Sequence, residues 1–194
     1  MFFDEFGFSF LEPVATTWAR KGKRPILRRT ARDRRVVSSA VALAMSGKVY
    51  KRHFEGSMKS EQLIETLQHL QHHLSGKIIL IWDRARTHKS KKTQAYLAVH
   101  TEISVEELPP YAPELNPEEF CHGNVKNHLK NARPADKTEM RQMLNRGFAR
   151  LRRRPDLLLS FFHAAGLSVR QLQLRECFIS HVAINFSILR TLAM

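Results

Sequence analysis

Residues Ile78-Ile79-Leu80-Ile81-Trp82 form an unbroken apolar run that follows Gly76-Lys77 and ends on Asp83. The run is too short for an ordinary helix and rich in β-branched residues, so it reads as a strand. A strand without polar alternation is buried on both faces, which places it at the centre of a sheet covered by helices. It also falls far short of the roughly 20 residues that cross a bilayer. An acid at the end of such a strand is informative, because sites in these sheets gather at the carboxyl ends of central strands.

The surrounding pattern supplies the rest of the sheet. Phe2, Phe6, Phe8 and Phe10 alternate with other residues, which predicts a strand with one buried face. Asp4 shares their parity, and a carboxylate on an apolar face is costly unless a metal or a base pairs with it. Glu5 has the opposite parity and is expected to face water. Val36 to Met45, the turn Ser46-Gly47 and Lys48 to Phe54 read as a hairpin. Ser60 opens an amphipathic helix carrying Leu63, Ile64, Leu67, Leu70 and Leu74 on one face, closed by Gly76. A helix from Ser90 to Val99 and a strand from Ile103 to Leu108 follow. Pro109, Pro110, Pro113 and Pro117 then stiffen a connector. Helices are predicted from Pro117, over Lys137 to Leu151, and over Asp156 to Ala165, the last stopped by Gly166. The order, three antiparallel strands, then helix, strand, helix, strand and further helices, predicts a mixed α/β sheet flanked by helices.

Charge narrows the partner. The 194 residues hold 32 Lys+Arg against 18 Asp+Glu, a formal charge of +14. Such an excess favours a polyanion, nucleic acid ahead of an anionic membrane. Nine Lys/Arg and one acid fall between Arg20 and Arg35. Arg20, Lys21, Lys23, Arg24, Arg28 and Arg29 are therefore candidate phosphate contacts rather than only a solvated face. Cys121 and Cys177 make neither a disulfide framework nor a metal spacing, and Cys121 reads as a small core hydrophobe. The N-terminus carries Asp4 and Glu5 where a signal peptide would be basic and then apolar. His181, Asn185 and Arg190 interrupt the apolar stretch from Cys177 to Met194. A soluble cytoplasmic protein without membrane contact is expected. His69, His72 and His73 have helical spacing but no fourth ligand, and read as a solvated helix face. Ser75-Gly76-Lys77 lacks the glycine of a phosphate loop, and the sequon at Asn185 has no secretory route.

Asp4, Asp83 and Glu119 stand out as carboxylates in settings that ask for a reason. Hard divalent cations take oxygen ligands, and few carboxylates suffice because water and substrate phosphate complete the shell. Strands that converge in a sheet can bring the first two acids together, and a helix against the sheet edge can add the third. A simpler reading stays open at each. Asn116-Pro117-Glu118-Glu119 matches a helix start with Glu119 as the capping-box acid, and Asp83 can cap the next turn.

The segments FFDEFGF, IILIWDRARTH and ELPPYAPELNPEEF, in this order and with 35 residues between Asp83 and Glu119, resemble the catalytic domain of DDE transposases. The likeness is to the mariner-like superfamily and its bacterial insertion-sequence relatives, and it runs from about Phe2 to Gly166. The resemblance implies an RNase H-like fold over 1–166, with 167–194 as a tail of unclear origin. It implies two Mg²⁺ or Mn²⁺ ions held by Asp4, Asp83 and Glu119 as the catalytic acids. His88 and Glu118 follow as accessory residues, and Arg84 and Lys126 as DNA contacts. The implied function is metal-dependent DNA cleavage and strand transfer at transposon ends, on DNA as partner, in the bacterial cytoplasm at the nucleoid. A homodimer is a further candidate. Asp4 lies too near the start of this sequence to leave room for a helix-turn-helix region, so a separate helix-turn-helix polypeptide of the same element is another candidate partner. The sequence departs from the family at Arg84, where Asn is usual, and at His122, where an aromatic is usual. Two alternatives stand beside the transposase reading: a catalytically inactive basic DNA-binding remnant, and a structure-selective RNase H-like nuclease.

Overall fold

The computed structural model describes residues 1–10, 15–26, 36–170 and 172. Arg28, Arg29, Cys177 and the sequon at Asn185 lie outside the described residues. Strands β1 (Phe2–Ser9), β2 (Val36–Leu43), β3 (Val49–Glu55), β4 (Ile78–Trp82) and β5 (Ile103–Glu107) make one sheet of order β3-β2-β1-β4-β5. The first three pair antiparallel, and β1-β4 and β4-β5 pair parallel. Helices α1 (Ser60–His73), α2 (Lys91–Val99), α3 (Pro117–His128), α4 (Lys137–Arg152) and α5 (Pro155–Ala164) flank the sheet. The mixed sheet expected from the order of elements is the one observed.

The helices divide between the two faces. Leu63, Leu67 and Leu70 of α1 pack with Phe3, Ala40, Leu80 and Trp82 on one side. Val125 of α3, Leu144 and Phe148 of α4 and Phe162 of α5 pack with Phe2, Phe6, Phe8 and Val41 on the other. Leu172 joins this second core, with Leu167 and Val169 partly buried against it. Cys121 is fully buried there, as a small hydrophobe would be. Gly47 turns β2 into β3 with φ +78°, and a Cβ there would stand 2.6 Å from Leu172 Cδ1. A side chain at that position is strained by the backbone and would push the Leu172 methyl aside.

Four expectations need correction. β1 was expected to bury one face, but it is the middle strand of five, and Phe3 lies in the α1 core while its neighbours face α3. Glu5 is accordingly not in water: only 11% of its side chain is exposed. Within β4, Ile79 is half exposed, because the α3–α5 layer does not extend over that end of the strand. Helix α1 ends at His73 with the Leu74 N–H on Leu70 O, and Gly76, at φ +87°, instead turns the chain into β4. No helix among the described residues is long and apolar enough to cross a membrane.

Candidate metal centre at the ends of the central strands

β1 and β4 run parallel with Phe2 beside Ile81, and the same offset carried two residues on brings Asp4 level with Asp83. The proline-rich connector then delivers α3 to this end of the sheet. Buried Asn116 caps α3 by accepting the Glu118 N–H at Oδ1 (3.1 Å), while its Nδ2 donates to Phe3 O at 3.3 Å. One amide thus starts the helix and ties it to the strand beside Asp4.

Asp4 and Glu119 meet. Their carboxylate oxygens come within 4.8 Å of each other, and burial together with the Glu119 charge pushes the Asp4 pKa up to about 8. Two carboxyl groups this close cannot both ionise unless a cation offsets the charge. His122 closes the group, with Nε2 2.9 Å from Glu119 Oε2 and Nδ1 3.8 Å from Asp4 Oδ2. One donor atom each from Asp4, Glu119 and His122 lies within 4.8 Å of the others. Glu119 does not act as a capping-box acid, since its carboxylate turns to His122 rather than back to the helix start. Glu118, one residue earlier, is fully buried, with Oε2 2.9 Å from His122 Nδ1 and Oε1 without a hydrogen-bond partner. Burial and the nearby Asp4 and Glu119 charges hold its carboxyl well above the ordinary range. Burial and the Lys126 charge push His122 down to about 4.

Asp83 belongs to a different group, with Glu5 and His88. His88 lies stacked on Trp82 at 4.1 Å and is itself buried. Its Nε2 is 3.0 Å from Glu5 Oε1 and its Nδ1 3.0 Å from Asp83 Oδ1. Burial alone would lower this imidazole, but the bonds to Asp83 and Glu5 outweigh it and raise the pKa to about 10. The His88 bond in turn lowers the Asp83 carboxyl. Asp83 Oδ1 also accepts the Ala85 N–H at 2.9 Å, so the turn-capping reading holds beside any other role. The expected trio is therefore split. Asp4 and Glu119 are together, whereas Asp83, its side chain 56% exposed, is turned toward His88.

The basic residues fall into two kinds. Arg20, Lys21, Lys23 and Arg24 are exposed on the segment after β1, which Asn131 fastens by hydrogen bonds to both N and O of Ala15. Lys126 lies over the Phe6 ring at 5.5 Å, near the acids. Arg84 is paired with Glu107 at 2.9 Å rather than free. The His69 and His73 rings of α1 meet at 4.2 Å and a 50° tilt, and neither residue belongs to either group. His122 and Glu5 are the residues that sequence reasoning passed over. The signal for His122 was its i+3 and i+4 spacing from the two glutamates. For Glu5 it was the two-sided burial of a central strand.

A divalent cation fits the first group: two acids and an imidazole converge, and their charge calls for an offsetting proton or metal. The fold agrees with known structures. A Mos1 transposase paired-end complex with left transposon end superposes with TM-score 0.60 at 17% identity, over 89% of this chain and 56% of that one. A Mos1 mariner paired-end complex with Mn gives 0.62 at 18%, over 85% and 53%. The isolated Mos1 mariner transposase catalytic domain gives 0.54 at 17%, over 86% and 81%. The chain thus spans about half the length of the transposase chains in the two complexes. The sheet and its helices are the RNase H-like fold of these catalytic domains. No curated protein sequence matches the chain. The family described as DDE superfamily endonuclease matches residues 1–141, from before Asp4 to beyond Glu119, and the chain belongs to that family.

Proposed function

We propose that this chain is a transposase catalytic domain that cuts DNA and transfers strands at transposon ends, using divalent metal held by Asp4, Asp83 and Glu119. The observation that carries the reading is the approach of Asp4 to Glu119, with donor atoms within 4.8 Å, brought together from β1 and α3 in a chain of this family. A bound ion would polarise the scissile phosphate and supply a nucleophilic water or 3′-hydroxyl at neutral pH. The protein's part is placement. Asn116 holds α3 against β1, so Glu119 and Asp4 face one another. His88 and the Ala85 N–H hold Asp83, which would have to turn from these bonds to join the first group when substrate arrives. Lys126 offers a charge for a phosphate oxygen beside the acids. Arg84 would do so only by leaving Glu107. A count of two ions, DNA as the partner, a second copy of the chain, a separate helix-turn-helix polypeptide, a catalytic unit over 1–166 with 167–194 as tail, and a bacterial cytoplasmic setting belong to the same proposal.

Calorimetric titration with Mn²⁺ of this chain and of Glu119→Gln tests the reading. Glutamine keeps size and a hydrogen bond to His122 but removes the charge. Binding should weaken about 10-fold or more in the folded variant. Equal affinity in both chains, or none in either, would sink the metal reading. DNA binding that persists without metal and is indifferent to Glu119 would then favour the inactive basic remnant.

A further inference from the structure

We infer that His122 is itself a metal ligand, so that the centre offers two carboxylate oxygens and one imidazole nitrogen and prefers first-row transition ions such as Mn²⁺ and Co²⁺ to Mg²⁺. The inference rests on the metal-dependent reading above and adds to it a donor and a selectivity.

The geometry is that of a ligating histidine with its outer support already in place. His122 Nε2 lies 2.9 Å from Glu119 Oε2, Asp4 Oδ2 stands 3.8 Å from the Nδ1 side of the ring, and the three residues bring one donor atom each within 4.8 Å. The other ring nitrogen, Nδ1, lies 2.9 Å from Glu118 Oε2. A carboxylate behind one nitrogen orients the ring, fixes the proton on that side and raises the basicity of the nitrogen that faces the metal. Helical spacing builds this arrangement from one element: Glu118 stands one turn before His122, and Glu119 three residues before it.

Glu118 gives the independent observation. It is fully buried, and its Oε1 has no hydrogen-bond partner. A buried carboxyl with an unsatisfied oxygen is costly, and packing alone gives no reason to keep it. Behind a metal-bound imidazole the cost has an origin, because a cation on the far side of the ring offsets the carboxylate charge. The ring is also held in place by Phe6, whose centroid lies 4.4 Å away. Imidazole gains affinity along the series from Mn²⁺, which accepts it beside oxygen ligands, to Co²⁺ and Zn²⁺, whereas Mg²⁺ keeps oxygen and water ligands. Loss of the nitrogen should therefore cost the transition ions far more than Mg²⁺.

Pulsed EPR of the Mn²⁺-loaded chain reads the bond directly. A ¹⁴N coupling to the ion is expected, replaced by a ¹⁵N pattern when histidine is isotopically labelled. It should vanish in His122→Phe, which keeps a ring against Phe6, and survive in His88→Gln. By calorimetry, His122→Phe should lose about 10-fold or more in Mn²⁺ and Co²⁺ affinity and change little for Mg²⁺. Should His122→Phe fail to fold, the labelled wild type and His88→Gln still decide. Mn²⁺ bound without nitrogen coupling, or a coupling abolished by His88→Gln, overturns the ligand and leaves the metal reading intact. No Mn²⁺ binding by the wild type overturns both.

Discussion

His53 on β3 shows how a single side chain couples this fold to pH. Its Nδ1 is 2.7 Å from Ser39 Oγ, its ring packs near Phe148 of α4, and Lys51 lies 3.4 Å from Nε2. Burial first, then the Lys51 and Arg141 charges, push its pKa from the ordinary 6.5 to about 4, against a smaller opposing bond from Asn145. The unfolded chain therefore takes up a proton below pH 6.5 that the folded chain refuses until about pH 4. The stabilisation is complete above pH 6.5 and is lost as pH falls through that window, by about 2 kcal/mol after allowing for partial exposure. Urea unfolding at pH 7.5 and 5 should show this loss for the wild type and a smaller one for His53→Gln. Equal losses would mean that His53 titrates freely in the folded state. At the same scale, His122 was visible in the sequence only as a departure from an aromatic. Its partners became identifiable once α3 lay against β1.

Among the elements, α3 and α4 approach closely at Gly147. Gly147 of α4 faces Val125 of α3, and a Cβ on Gly147 would stand 2.9 Å from Val125 Cγ1. Valine is stiff at χ1 and cannot swing away, so the helices themselves would have to part. Alanine is the better helix former by about 1 kcal/mol, yet overpacking of a filled core costs roughly 1–3 kcal/mol. Gly147→Ala should therefore destabilise the protein on balance. In a Val125→Ala background the same change should become neutral or stabilising, as a double-mutant cycle by denaturant unfolding would show. Additive effects would place the strain elsewhere. The elements themselves were legible in sequence to within a few residues, because periodicity and breakers report local geometry. The faces of β1 were not. Alternating phenylalanines describe one side of a strand, and only a neighbour on each edge makes it central.

For the whole molecule, the +14 charge is the property that acts at a distance. Arg20, Lys21, Lys23 and Arg24 stand in water on a segment anchored through Ala15 and Asn131. Under the proposed function they meet DNA phosphates. Replacing all four with alanine should flatten the dependence of log affinity on log salt by roughly 3.6, at about 0.9 per lost contact. An unchanged slope in fluorescence anisotropy would make this stretch a solvated surface only.

The sequence by itself determined the strand–helix order, the basic character and the acids Asp4, Asp83 and Glu119, because each is written in local pattern or in residue type. Three short segments also carried the family resemblance. Only the tertiary structure decided how those acids group. Asp4 and Glu119 meet because Asn116 ties α3 to β1, and Asp83 turns to His88 because Glu5, on the opposite face of β1 from Asp4, holds the other side of that ring. Side-chain direction at such a junction depends on which elements become neighbours. That choice is made by packing across the sheet, between residues that no local pattern relates.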